Sequence, residues 1–331
     1  MRIPLLCAAL AAAAGVVSAQ NATSTRPPII DIHVHAMMGI PGAQPACANA
    51  PAFLASDPAK KEDRFGWRTV GCANPLLPAR TPASYENEVL AEMERLNVTA
   101  VVMGDEKTVN RWKIDAPERV IRGTSFRADA LSGDNKVAEL KRLREAFTKG
   151  GFAVMGEVGP QYAGMSPSDP ALDEYFALAE ELDIPVGIHM GTGGSGRANI
   201  TTPKFRGSMG NPLLLEDLLA KHPKLRLWIM HAGYPMMDNL LTLLQANSHV
   251  YVDVAGLIWS YPIKEVNRYI QRMVEAGFED RVMFGTDQMM WPNLMAQSIN
   301  IIETADYLTP EQKRDILYNN AARFLRLDPK K

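Results

Sequence analysis

An excess of charge of either sign is the first thing this sequence lacks. Its 331 residues carry 35 lysines and arginines against 37 aspartates and glutamates, a formal net charge of −2. Without a basic excess there is no electrostatic footprint for nucleic acid, and without a block of like charges there is no sign of a disordered tail. No internal repeat and no linker divides the chain. With 47% hydrophobic and 22% charged residues, the composition is that of an ordinary globular protein, long enough for one large core or two modest ones.

Long apolar runs are also missing, with one exception. Arg2 is followed by Ile3 to Val17, apolar apart from Pro4, and then by the small-x-small sequence Val17-Ser18-Ala19. This pattern predicts a secretory signal peptide over residues 1–19, cut before Gln20 and too short and wrongly flanked to persist as a membrane span. Residues 20–331 are then expected to form a single secreted or periplasmic domain. No second run of about 18 apolar residues exists, so no membrane association is expected after cleavage. The leader removes Cys7 and leaves Cys47 and Cys72. An even cysteine count in an exported chain predicts a disulfide between them.

What is present is organised around Ile29-Ile30-Asp31-Ile32-His33-Val34-His35. On a strand, side chains alternate with period two, so His33 and His35 share a face and can act as paired metal ligands. An irregular stretch rich in Pro, Ala, Gly and Asn follows, about 37–82, and its length suggests a lid braced by the two cysteines. From Ser84 onward, strand and helix patterns alternate. Strands are expected over 98–104, 120–126, 152–159, 185–190, 225–231, 249–255 and 282–286. The intervening helices include 85–96, 136–149, 171–182, 213–221, 236–245, 264–275 and 294–305, and a last helix over 311–325 opens with a capping threonine, Thr309, before Pro310. Alternating βα units imply a parallel sheet, and eight of them fit a (β/α)8 TIM barrel with a long loop insertion after strand 1. A doubly wound open sheet is the competing topology.

The barrel places its chemistry at strand C-termini. Histidine is scarce, six in all, and four stand at such ends: His33 and His35 on strand 1, His189 on strand 5 and His231 on strand 6. Two carboxylates join them, Glu157 on strand 4 and Asp287 after strand 8. Six such groups converging on one barrel mouth point to a metal site. His222 and His249 fall at a helix end and a strand start and are read as structural or solvated.

This constellation resembles the amidohydrolase superfamily over essentially the whole mature chain. The residues that carry the likeness are Asp31-Ile32-His33-Val34-His35, Glu157, His189, His231-Ala232-Gly233 and Gly285-Thr286-Asp287. The ending Tyr318-Asn319-Asn320-Ala321-Ala322-Arg323-Phe324-Leu325 is similar to that of the amidohydrolase-related branch, which includes hydrolases and the aminocarboxymuconate-semialdehyde decarboxylase group. The resemblance implies a divalent metal, usually Zn2+, at the barrel mouth, with one or two ions per chain. By position, His33, His35 and Asp287 would hold one ion and His189 and His231 a second, bridged by Glu157 where many members use a carboxylated lysine. In mononuclear members the strand-1 histidines, the strand-5 histidine and the strand-8 aspartate hold the ion, and the strand-6 histidine polarises the substrate. The sequence permits both arrangements.

Either arrangement supports one chemistry. A bound cation lowers the pKa of its water from ~15.7 toward ~7. Asp287 would then move the proton to the leaving group, and His231 would polarise the carbonyl under attack. The expected function is hydrolysis of an amide, lactone or ester carbonyl of a small molecule; non-oxidative decarboxylation of an aromatic or unsaturated acid is the alternative. Around the mouth lie three Met-Met pairs and several tryptophans, which suggest an apolar substrate pocket drawing on Met38, Met289, Trp67, Trp259 and Trp291. Gly191-Thr192-Gly193-Gly194-Ser195-Gly196 matches a dinucleotide fingerprint, but residues 197–210 lack the helical periodicity that the fingerprint requires. That stretch reads instead as a lid whose Arg197, Lys204 and Arg206 can meet an anionic substrate group. Homo-oligomerisation is left open by the sequence. Thiol labelling of natively exported protein should find neither Cys47 nor Cys72 free, and two labelled thiols would remove the expected bridge.

Overall fold

The computed structural model describes residues 26–37, 40–50, 72–194, 196–200 and 202–327. The leader expected over 1–19 lies outside them, as do Met38 and Trp67. Eight strands follow one another around a single sheet in chain order: β1 Ile29–His35, β2 Val98–Met103, β3 Val120–Thr124, β4 Val154–Val158, β5 Val186–His189, β6 Leu227–Met230, β7 Tyr251–Asp253 and β8 Val282–Met283. All seven neighbouring pairs are parallel. Backbone bonds from Ile32 N to Phe284 O (3.1 Å), Asp287 N to His33 O (2.8 Å) and His35 N to Gln288 O (2.9 Å) bring the ends together. The architecture is a (β/α)8 TIM barrel, and the doubly wound alternative is excluded.

The strands form because their β-branched and apolar residues are buried on both faces, as a sheet enclosed by helices requires. Every residue of β6 and all but one of β2 are buried. One apolar cluster fills the space between sheet and helices, whereas a second fills the barrel itself with Ile30, Ile32, Val101, Met103, Val154 and Trp228 among its members. The last helix, Asn320–Leu325, closes the lower end. Its Phe324 meets Trp228 edge to face at 5.6 Å between ring centroids. Helices show the expected periodicity: Ile263–Met273 buries Val266, Tyr269, Ile270 and Met273. The Thr309 cap forms a reciprocal box with Gln312, as expected.

Two differences from the sequence reading have physical causes. A helix at Glu106–Asp115 joins β2 to β3, where no helix is expected; only Thr108, Val109 and Trp112 of it are buried, too few apolar positions to register as a stripe. Its start is fixed by Asp105, whose carboxylate accepts from Thr108 N at 3.0 Å. A short helical turn also occupies Arg197–Ile200, within the stretch read as non-helical.

Of the insertion after β1, residues 37, 40–50 and 72–82 are described. Ala46 and Leu76 pair as an antiparallel bridge, and Cys47 is joined to Cys72 by a disulfide. Asn49 ties this strap to the barrel mouth, donating through its side chain to Ile258 O (2.9 Å) and Tyr261 O (2.8 Å) and through its backbone to Trp259 O (2.6 Å). Among the described residues, no helix is long and apolar enough to cross a membrane.

Glycine makes the barrel interior possible. A Cβ on Gly187 would stand 2.3 Å from the Trp228 ring, which is fully buried. Gly187→Ala should therefore lower stability by about 1–3 kcal/mol through overpacking, read as a reduced denaturant midpoint. An unchanged midpoint would show that the interior layer is looser than described.

Candidate metal centre

Two local irregularities aim the site. Pairing of β1 with β2 shifts register between Asp31 and Val34, and that of β4 with β5 between Met155 and Val158. In β1, Ile30 and Ile32 belong to the interior cluster but Val34 to the outer one. The inward set thus passes from even to odd positions, turning both His33 and His35 into the barrel. The second irregularity contains Glu157. Bulges at such positions re-aim a side chain without breaking the sheet.

The six expected groups meet at the mouth. His33 Nε2 lies 3.1 Å from His35 Nε2, and Asp287 Oδ1 stands 3.5 Å from the first and 3.1 Å from the second. Glu157 Oε2 is 4.0 Å from His33 Nε2 and 3.6 Å from His35 Nε2. Its Oε1 is 3.7 Å from His189 Nε2 and 3.8 Å from His231 Nε2. Two three-residue groups have ligand atoms all within 4.8 Å of one another: His33, His35 and Asp287, and His33, Glu157 and His231. His189 joins neither group.

Each buried imidazole is oriented from behind. His33 Nδ1 pairs with Asp253 Oδ2 at 3.2 Å, His189 Nδ1 with Gln161 Oε1 at 2.8 Å, and His231 Nδ1 with Ala255 O at 2.8 Å. With Nδ1–H donating, uncharged His33 and His189 present an Nε2 lone pair to the mouth, whereas His231, its Nδ1 on Ala255 O, offers Nε2–H there when charged. His33 Nε2 and His35 Nε2 stand 3.1 Å apart, with Asp287 Oδ1 within 3.5 Å of both. That donor set fits a divalent ion held by imidazole and carboxylate.

Titration follows the same geometry. For His33, burial opposes the charged form, but the bond to Asp253 and the charges of Asp287 and Glu157 outweigh it and push the pKa up to about 10. Burial, helped by His231, takes His189 down to about 3. Burial would raise Asp287 and Glu157, yet the surrounding histidines hold both below the usual carboxylate range. Burial also opposes charge on His231, but Glu157 and Asp287 beside it leave its pKa raised. Asp31, buried and bonded to Thr286 and to His33 N, is pushed up to about 7 by desolvation.

The backbone is strained at two of these groups. His231 and Asp287 both have left-handed φ, 60° and 58°. Each such residue costs about 1–3 kcal/mol and persists only where its surroundings fix it. Here Asp253 Oδ1 accepts from His231 N at 2.8 Å, and His33 O accepts from Asp287 N at 2.8 Å. Gly256, at φ +66°, has no alternative residue: its Cβ would come within 2.9 Å of His231 Nδ1.

A pocket of about 110 Å³ opens over these groups, walled by Tyr162, Arg197, Tyr234, Trp259, Tyr261 and Met289 among others. Trp259 and Met289, expected to contact substrate, line it. Trp291 stands behind them, 5.3 Å from Trp259 between ring centroids and bonded to Gln44 O, and does not line the pocket. Arg206, also expected at the substrate, does not line this pocket. It is exposed and its guanidinium folds back onto the carbonyls of Pro203 and Phe205 in its own loop, so the cation at the pocket is Arg197.

Sequence reading missed Asp253 and Gln161. Asp253 was legible as the one charge inside the apolar run Val250-Tyr251-Val252-Asp253-Val254, on the one strand of the second half without an assigned group. Gln161, in the short turn after β4, gives no such signal. Asp253→Asn should weaken divalent-metal affinity by about 10–100-fold, measured by competition with a chelating dye. Wild-type affinity in that variant would remove Asp253 from the support of the site.

The sequence model of the family described as Amidohydrolase matches residues 30–327. No curated protein matches the chain. Among solved structures, it is similar to an uncharacterized TIM-barrel protein from Bordetella bronchiseptica at 18% identity, covering 75% of this chain and 85% of that one with a TM-score of 0.59. A protein assigned as a 2-pyrone-4,6-dicarboxylic acid hydrolase from Acinetobacter baumannii aligns at 13% identity over 91% of this chain and 100% of its own, with a TM-score of 0.55. The 5-carboxyvanillate decarboxylase from Novosphingobium aromaticivorans, complexed with manganese, aligns at 16% identity over 72% and 79%, with a TM-score of 0.55. At these identities the likeness is one of fold.

Proposed function

The chain belongs to the amidohydrolase family, whose members are metal-dependent enzymes that include hydrolases and decarboxylases, and from that premise we propose that it is a hydrolase of an amide, lactone or ester carbonyl in a small molecule. The observation that carries this reading is the convergence of His33, His35 and Asp287 beside His231 beneath one pocket. The two candidate ligand groups share His33, and its single Nε2 lone pair serves one ion. We therefore assign one ion, to His33, His35 and Asp287, with zinc as the metal that imidazole and carboxylate donors suit best. Such an ion supplies Lewis acidity and lowers the pKa of water at the site toward ~7.

The remaining steps belong to the chain's own groups. Asp287 turns Oδ1 to His33 and His35, which leaves Oδ2 to take a proton from the attacking water and return it to the leaving group. His231, oriented by Ala255 O, directs Nε2 at the substrate oxygen and stabilises the charge that develops there. Glu157 and His189 keep the opposite wall polar. Export through the leader expected over 1–19 belongs to the same proposal, and the Cys47–Cys72 bridge supports it, since disulfides persist in oxidising compartments.

A second reading, decarboxylation, is favoured by the raised pKa of His231. A protonated imidazole beside the substrate can deliver a proton to the carbon that keeps the electron pair when carbon dioxide leaves. The two readings differ in product. A screen of lactones, esters and N-acyl compounds against metal-loaded protein should release acid and alcohol or amine, whereas carbon dioxide release would establish the second. In either case Asp287→Asn should lower kcat by about 10²–10⁴-fold. Turnover that survives both this substitution and chelation would overturn the proposal.

A further inference from the structure

The pocket above the metal residues does not end at its own walls. A second cavity of about 420 Å³ adjoins it, and Thr192, Gly193, Gly194, Arg197, Tyr234 and Tyr261 wall both. The outer cavity adds Gly196, Ala198, Asn199, Phe205 and Gly207. The two differ in chemistry. The inner one holds His35, Glu157, His189, His231 and Asp287, whereas among the described residues Arg197 is the only permanently charged side chain of the outer one. Its walls are aromatic faces and backbone.

The neck between them is built. Thr192 Oγ1 and the Tyr261 hydroxyl are hydrogen-bonded across it, and Tyr234 packs on Tyr261 at 4.2 Å between ring centroids. On the other side, the Arg197 guanidinium lies 5.0 Å from the centre of the Tyr162 ring, which is 4.5 Å from the His189 ring. The inner chamber of about 110 Å³ suits a compact group, and a larger substrate can extend from it through this neck.

We propose that the outer cavity is a subsite for the remote part of the substrate, and that the enzyme acts on two-part compounds. The reacting carbonyl sits among the metal residues, and an uncharged, flat or apolar tail lies against Tyr234, Tyr261 and Phe205. This rests on reading the inner pocket as the reacting site. Burial of such a tail replaces water on three aromatic faces, and apolar area removed from water is what favours binding.

Gly207 offers a clean test because a Cβ there meets nothing within 4 Å and its φ is ordinary. Gly207 lines the outer cavity and not the inner one, so Gly207→Trp places its ring at the outer cavity. Binding is measured by calorimetry on metal-loaded protein with acetohydroxamic acid, 4-phenylbutyrohydroxamic acid and 4-phenylbutyramide. The phenylalkyl tail should tighten hydroxamate binding at least about tenfold in the wild type. Gly207→Trp should abolish that gain and leave acetohydroxamate unchanged. A tail that adds nothing, or a gain that survives Gly207→Trp, overturns the subsite. Failure of acetohydroxamate to bind would count against the metal reading alone, because 4-phenylbutyramide carries the tail and no metal-binding head. Amide binding that Gly207→Trp removes supports the subsite on its own. Equal binding to both proteins, or binding to neither, overturns it.

Discussion

The carboxylate of Asp253 is the constraint on which the site depends. Fully buried at the end of β7, it accepts four hydrogen bonds: from His33 Nδ1, Trp228 Nε1, His231 N and Ala255 N. One side chain thereby fixes the imidazole of β1, the largest ring of the barrel interior and the strained backbone of His231. A carboxylate so surrounded is satisfied where an isolated buried charge would be expelled. Because its partners come from β1, β6 and the turn after β7, it also couples packing below the mouth to ligand orientation at the mouth.

Around that point the barrel makes room by subtraction. Gly187 clears space for Trp228 below, and Gly256 clears space for His231 and Asp287 above. The register shifts in β1 and β4 turn ligand side chains inward without loss of sheet continuity. Strain at His231 and Asp287 is the other side of the same design, since both positions are held by hydrogen bonds from the site itself.

Much of this was legible in the sequence, for a definite reason. The β/α alternation and the strand-end histidines are local signals, read from periodicity within a few residues of each group. The closed topology and the convergence of His33, His35, Glu157, His189, His231 and Asp287 followed from placing those signals on a barrel. What stayed hidden depends on relations between distant segments. The partnership of Asp253 with His33 spans 220 positions, and that of Gln161 with His189 joins a short turn to a strand end. Arg197 and Arg206 look alike in sequence; only the fold of their loop decides which one faces the pocket. The polar helix Glu106–Asp115 buries too little apolar surface to announce itself.

The strap between Ala46 and Leu76 carries a consequence for where the pocket is complete. Through Asn49 it grips the carbonyls of Ile258, Trp259 and Tyr261, and these residues include two walls of the pocket. The strap is itself closed by Cys47 and Cys72. The strands hold the candidate ligands without that bond, whereas the wall over them is anchored through a strap whose closure is an oxidation. The redox state of two cysteines is thereby linked to the mouth of the pocket.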